Sequence, residues 1–237
     1  HYVPYGVPDA VPAMNVADLA QHPASPLRIA YVGRIEQWQK RVFDLPAIAD
    51  ELLRLGIAFE LCIAGAGPDE SELRQRLAAH TGAGRVRWLG HVAAGDVAER
   101  VYRHADVLIN PSLWETGPIV VWEAMAHSVA VVSSRYVGSG LEAALVDGEN
   151  CRLFAIGDTA GAAAALASLT DAALVARLRT GGHKLVQGRY SITASVAAWD
   201  AALHAVLAQA PLPLPAPRRI EPAGRLDRLL GVGTGER

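Results

Sequence analysis

The chain has few of the features that announce chemistry by motif. Only two of its 237 residues are cysteine, Cys62 and Cys151. Two cysteines without CxxC spacing make neither a disulfide framework nor a zinc site, and they are compatible with a reducing cytosol. Cys62 lies inside an apolar run and reads as a small core residue. No apolar run approaches the ~20 residues that a membrane span needs. Acidic and basic side chains nearly balance, at a formal net charge of -2. Nothing in that balance points to nucleic acid, and an anionic ligand would have to be held by a few local cations. There is no GxxxxGK[ST] phosphate loop, no GxSxG nucleophile elbow and no Asp-x-Asp pair to clamp a metal against a diphosphate. The start, His1-Tyr2-Val3-Pro4, has no Met, no basic n-region and no long apolar h-region, and reads as the middle of a longer protein.

What is present is apolar. Hydrophobic residues make up 51% and charged residues 19%, which favours one large packed domain or two small ones over disorder. Short apolar runs at 28–33, 58–64, 86–89, 105–109, 129–133 and 151–154 read as buried strands. Between them, 42–55, 69–80, 94–104 and 118–127 carry helical spacing, as do the Ala-rich stretches 159–187 and 192–209. Strand and helix alternate at least five times. The pattern predicts a doubly wound parallel α/β sheet, Rossmann-like, with ligands at the carboxyl ends of the strands. The loops to inspect are then 33–41, 65–69, 90–93, 110–118 and 134–141. Residues 9–27 read as loop and linker, and the prolines of 211–223 as an extended tether.

Gly65-Ala-Gly67 after a strand invites a dinucleotide-binding reading, which fails because the third glycine position holds Glu70. A tight strand-to-helix turn accounts for it better. Arg34 directly follows the first strand's Gly33, and Lys40 lies in the loop beyond. Two cations there suit a diphosphate, the arginine as a fork and the lysine as a point charge. The plainer alternative is a pair of solvated loop charges. Glu115 sits after the fourth strand, and Gly117 lets backbone pass close to a ligand. Pro118, Ile119 and Val120 open the next helix, where free amides and the dipole favour an anion; Pro118 itself lacks the amide hydrogen. Glu123 lies among apolar residues and needs a partner. The alternative is a surface glutamate beside a helix-capping one. His91 alone reads as a loop residue, and Trp114 and Trp122 as packing residues.

Taken in order, these segments resemble a known family. Tyr-Val-Gly-Arg34 with Gln-Lys40, Ile-Ala-Gly-Ala-Gly-Pro68, Leu-Gly-His91-Val and Ala-Asp-Val-Leu-Ile-Asn-Pro-Ser112 are followed by Glu115 and Glu123, seven residues between them. Val-Asp-Gly-Glu-Asn150, Leu-Phe154, Gly-Asp158 and Arg-Tyr-Ser191 complete the set. The chain resembles, over residues 2–209, the C-terminal half of GT-B-fold glycosyltransferases of family 4, or group 1.

The resemblance implies a retaining hexosyltransferase that takes a nucleotide-diphospho-sugar, such as a UDP- or GDP-sugar, without metal or other cofactor. It assigns Arg34 and Lys40 to the diphosphate, Glu115 to hydroxyls of the donor sugar and Glu123 to the ribose. Gly117, Ile119 and Val120 fall at sugar and phosphate, Gly90, His91 and Val92 near the base, and Gly33 and Pro118 complete the donor-binding set. It divides the chain into an interdomain segment (1–27), a nucleotide-sugar domain (28–209) and a Pro-rich tail (210–237). It expects an N-terminal GT-B domain, in cis or in trans, to hold the acceptor, a sugar, lipid or small molecule. The expected place is the cytoplasm, with peripheral contact to the inner membrane face through that other half. A non-catalytic nucleotide-sugar-binding module and a GT-B-fold epimerase are the rival readings. Where the family usually has Gly and Pro after Ala126, this chain has Ser128 and Ala130.

Overall fold

The structure, a computed structural model, describes residues 3–8, 25–139 and 143–209. The chain divides into two compact units, His1–Asp200 and Ala201–Arg237. Sheet and candidate site belong to the first; of the second, only the helical end of the described chain and two residues beyond it are seen. Most of the expected linker (9–24), part of the 134–141 loop and the Pro-rich tail (210–237) lie outside the described residues.

Six parallel strands form the sheet: β1 (Leu27–Val32), β2 (Phe59–Ala64), β3 (Val86–Gly90), β4 (Val107–Asn110), β5 (Ala130–Ser134) and β6 (Arg152–Phe154). Their order is β3-β2-β1-β4-β5-β6. This is the doubly wound arrangement expected from the alternation of strands and helices. The central strands β4 and β5 are buried at every position and read as unbroken apolar runs, while β3 and β6 at the sheet edges are only partly buried. On one face Ile29, Leu61, Ile63, Ile109 and Val132 pack with residues of α2 (Asp44–Arg54), α7 (Thr159–Ala167) and α8 (Ala172–Leu185). On the other, Ala30, Ala64, Leu108 and Val131 pack against α6 (Ile119–Ala126) and the segment around Val97–Tyr102. Trp122 is buried and stacks on Tyr190 with ring centroids 4.0 Å apart.

Several expected helices are broken. The stretch 42–55 starts only at Asp44, because Arg41 takes a left-handed backbone (φ 50) that closes a separate short helix, α1 (Gln37–Lys40). The stretch 69–80 divides at Leu77 into α3 (Glu70–Arg76) and α4 (Ala78–Gly82). The stretch 94–104 is one α-helical turn, α5 (Val97–Arg100), between two 3-10 turns. The run 159–187 breaks at Ser168–Thr170. There the two hydroxyls turn back onto the carbonyls of Ala165 (2.6 Å) and Ala167 (3.0 Å). Asp171 then caps α8 by accepting from the amides of Ala173 and Leu174. Such hydroxyl-to-backbone bonds compete with helix propagation. Cys62 is partly buried rather than a core residue, because the face of β2 that carries it is not fully covered.

The first described residues join the same body. Val7 donates its amide to the Tyr190 carbonyl (2.7 Å) and accepts from Ile192, at the start of α9 (Ile192–Leu207). Ser195 Oγ donates to the Pro4 carbonyl at 2.7 Å. Val7 itself is buried in the second apolar cluster.

Candidate functional site

The strand order reverses at β1, which pairs with β2 on one side and β4 on the other. A crevice opens at such a point beyond the carboxyl ends of the strands. The loops after β1, β2 and β3 are stitched together by backbone bonds: Gly33 to Ala64, Ile35 to Ala66 and Gly65 to Gly90. The close approach explains Gly65 and Gly67. A β-carbon on Gly65 would stand 1.8 Å from the Gly33 carbonyl oxygen, and one on Gly67 2.1 Å from that of Ile35. These glycines serve backbone packing, as the tight-turn reading holds.

A cavity of about 300 Å³ lies at this edge, and Gly33, Arg34, Gly65, His91, Val92 and Val97 are among its walls. Four of the sequence-predicted residues therefore meet at one cavity. Arg34 is the exposed cation of the group, with Nη2 3.2 Å from Glu36 and 3.1 Å from the Gln39 side-chain oxygen. Buried Tyr31 donates from its hydroxyl to the Arg34 carbonyl at 2.7 Å. Burial, reinforced by Glu115 and Glu36, pushes the Tyr31 phenol up, so it remains a donor. Gly90 closes β3 with a left-handed φ of 64, and His91 beyond it is exposed.

The second half of the site comes from helix α1 and the loop after β4. Glu36 caps α1 by accepting from the Gln39 amide, which fixes Lys40 in the last position of the turn. Lys40 Nζ lies 2.6 Å from Glu115 Oε1, and both side chains are largely buried. Ser112 Oγ stands 2.6 Å from the same carboxylate oxygen and 2.8 Å from Asn110 Oδ1, its one proton shared between these acceptors. Asn110 in turn donates to Ser133 Oγ, and Ser134 Oγ donates to the Ser112 carbonyl. Backbone bonds complete the frame, from Leu113 to the Gln39 carbonyl and from Glu115 to that of Val137. Burying an ion pair is costly and seldom adds stability, so a pair kept in such a frame points to a task beyond folding.

Gly117 (φ 141) leads to Pro118, the residue that precedes α6. Ile119 and Val120 then present the first amides of the helix, which have no acceptor within it. Glu123 stands apart from the cavity. Its carboxylate accepts from the buried Tyr102 hydroxyl at 3.0 Å. Burial pushes the Glu123 carboxyl above its ordinary value, and the Tyr102 bond offsets part of that. The sequence missed the uncharged supports Gln39, Asn110, Ser112 and Tyr102. The alternation of Asn110 and Ser112 at a strand end was the available signal. Trp122 is a packing residue as expected. Trp114 is only half-buried, edge-on to exposed Trp38 with centroids 5.8 Å apart. Among the described residues, no group of three or more His, Cys, Asp or Glu is placed to hold a metal ion, and no single helix is long and apolar enough to cross a membrane.

The family model for glycosyl transferases group 1 matches residues 26–172. The chain belongs to the group 1 glycosyltransferases. This group 1 chain is 32% identical over 154 residues to a glycogen synthase of Mycobacterium tuberculosis, covering 65% of this chain and 36% of that protein. It is 34% identical over 173 residues to a phosphatidyl-myo-inositol mannosyltransferase of Mycolicibacterium smegmatis, covering 69% and 43%. The chain thus spans less than half the length of these relatives. An Anabaena protein solved in complex with UDP and glucose superposes with a TM-score of 0.64 at 18% identity, over 76% of this chain and 48% of that one. The fold is the doubly wound, Rossmann-like half of the GT-B glycosyltransferases.

Proposed function

We propose that this chain is the donor side of a retaining glycosyltransferase that binds a nucleotide-diphospho-sugar without a metal. The observation that carries the reading is the buried Lys40–Glu115 pair, framed by Ser112 and Asn110 beside Arg34 at the strand-order reversal. Arg34 and Lys40 hold the diphosphate and neutralise it as it leaves, helped by the amides that open α6. Lys40 exchanges its carboxylate partner for phosphate oxygen. Glu115, still held by Ser112, is then free to accept hydrogen bonds from hydroxyls of the donor sugar. Glu123 accepts from the ribose hydroxyls. The bond from the anomeric carbon to the diphosphate breaks, and a bond to an acceptor hydroxyl forms with the same configuration. The acceptor hydroxyl gives its proton to the departing diphosphate oxygen, which takes the electron pair of the broken bond. The acceptor is presented from the facing wall of the cleft, by a second lobe in cis or in trans. The UDP and glucose bound by the Anabaena neighbour support the donor class.

The test is calorimetric titration of the chain with UDP, GDP, UDP-glucose and GDP-mannose, with and without EDTA. At least one of these ligands is expected to bind, with unchanged affinity in chelator. Arg34→Ala and Lys40→Ala should each weaken diphosphate binding by ~1.5–3 kcal/mol, as for hydrogen bonds to charged groups. Unchanged affinity in both variants discards the diphosphate assignment. A large loss in EDTA discards the metal-free mechanism.

A further inference from the structure

A second cavity, of about 250 Å³, lies at the opposite, amino-terminal edge of the sheet. Arg28, Glu60, Cys62, Arg85, Arg87 and His104 are among its walls. Parallel register sets Arg28 opposite Glu60 and Cys62 opposite Arg87, so these side chains share one sheet face. Arg85 immediately precedes β3, and His104 ends the segment before β4.

The charges here are unevenly matched. Arg28 is already countered: it forks onto buried Asp106, with Nε 3.0 Å from Oδ2 and Nη2 2.6 Å from Oδ1. The hydrogen bond that Arg28 donates to Asp106 is the largest influence raising its pKa, burial opposes it, and the charge of Glu60 adds a smaller rise. Asp106 also has Arg179 4.0 Å away, so it has nothing left for further cations. Arg85 and Arg87 form no side-chain hydrogen bond or ion pair among the described residues. Two guanidinium groups two positions apart repel each other, and a bound anion would offset that. Guanidinium forks match the oxygens of a phosphate group, and the cavity holds more than a bare phosphate.

We propose that this rear cavity is an anion site for a small phosphate monoester, its phosphate gripped by Arg85 and Arg87. The site is separate from the donor crevice and stands whether or not the donor reading does. Cys62 on its wall is a built-in reporter. The only other cysteine, Cys151, is fully buried, so a thiol reagent reaches Cys62 first in the folded chain.

The experiment is the rate of Cys62 alkylation by N-ethylmaleimide, read by mass spectrometry on the full chain. The arms are inorganic phosphate, glycerol 3-phosphate and sodium chloride at matched ionic strength. An occupied cavity shields the thiol, so a ligand at about ten times its Kd should slow labelling about tenfold. Protection is expected from phosphate or glycerol 3-phosphate and not from chloride. Tighter protection by glycerol 3-phosphate shows that the body beyond the phosphate is also bound; equal protection shows that the free anion suffices. The double variant Arg85→Gln, Arg87→Gln should keep its far-ultraviolet circular dichroism and lose the protection, judged as a ratio of rates within that variant. No protection by either anion, equal protection by chloride, or protection that survives in the double variant overturns the site.

Discussion

Ser128 shows how far a single position can be understood. Its backbone takes φ 58, its amide bonds the Met125 carbonyl, and the Val129 amide reaches the Ala124 carbonyl. That is the Schellman closure of a helix, which glycine fills without strain. The family usually places glycine here, so the departure leaves the turn intact and adds strain. Ser128→Gly should stabilise the fold by about 0.5–1 kcal/mol, the relief of a left-handed backbone less the added freedom of the unfolded chain. Urea unfolding checks this, and a loss of stability would contradict it. Glu123 is a second case. Its charged form loses hydration on folding and keeps the Tyr102 bond. An ionised carboxylate accepts from both ribose hydroxyls, so Glu123→Gln should weaken UDP binding severalfold and dUDP binding less, since dUDP offers one hydroxyl fewer. The raised pKa gives a sign as well. Folding favours the protonated carboxyl, and that stability fades as pH rises through the folded pKa. Equal losses for UDP and dUDP would move Glu123 to a structural role. Both residues were legible in the sequence as oddities, a serine in a glycine position and a carboxylate in an apolar run. Gln39 is not, because an uncharged side chain in a single helical turn carries no mark of what it touches. Lys40 and Glu115 were each singled out, but a pair 75 residues apart is visible only once the sheet closes.

Elements were read best where burial is two-sided. All six strands lie within a few residues of the apolar runs, most plainly β4 and β5, which are buried at every position and must be apolar throughout. Helices were read too long. Apolar spacing continues smoothly across 159–187, while the chain is broken by Ser168, Thr170 and Asp171, whose polar groups bond backbone in place of the helix. Short helix α1 reads as loop in the sequence, since a single turn capped by a glutamate has no periodicity to detect. The break has an energetic consequence that is measurable. Asp171→Ala leaves the amides of Ala173 and Leu174 without their acceptor and should cost about 1 kcal/mol, the usual worth of an N-cap. Asp171→Asn should restore most of it. If denaturation midpoints for the alanine variant match the parent, the cap contributes nothing.

Across the whole molecule, one sheet separates two edges of different character. The carboxyl edge carries the framed ion pair and the proposed donor site; the amino edge carries the arginine-lined cavity. Alternating elements predicted the sheet and its ligand edge, whereas nothing in the linear order of residues marked the rear cavity, whose walls come from three strands and the segment before a fourth. The same closure that ties Pro4 to Ser195 also sets a clock. These partners are 191 positions apart, and Val7 seats beside them in the second apolar cluster. Contacts between chain segments so distant demand the largest loop closure, and they are expected to form after the sheet that gives them a surface to dock on. Val7→Ala should therefore leave the refolding rate unchanged and speed unfolding, about 30-fold for a loss of about 2 kcal/mol. Stopped-flow refolding in urea reads both limbs. A slowed refolding limb would place the first described residues in the folding nucleus. A chain that ties its beginning to its last helices only at the end of folding also releases them first. The bridge between Val7 and the start of α9 is then where native-state amide exchange should begin.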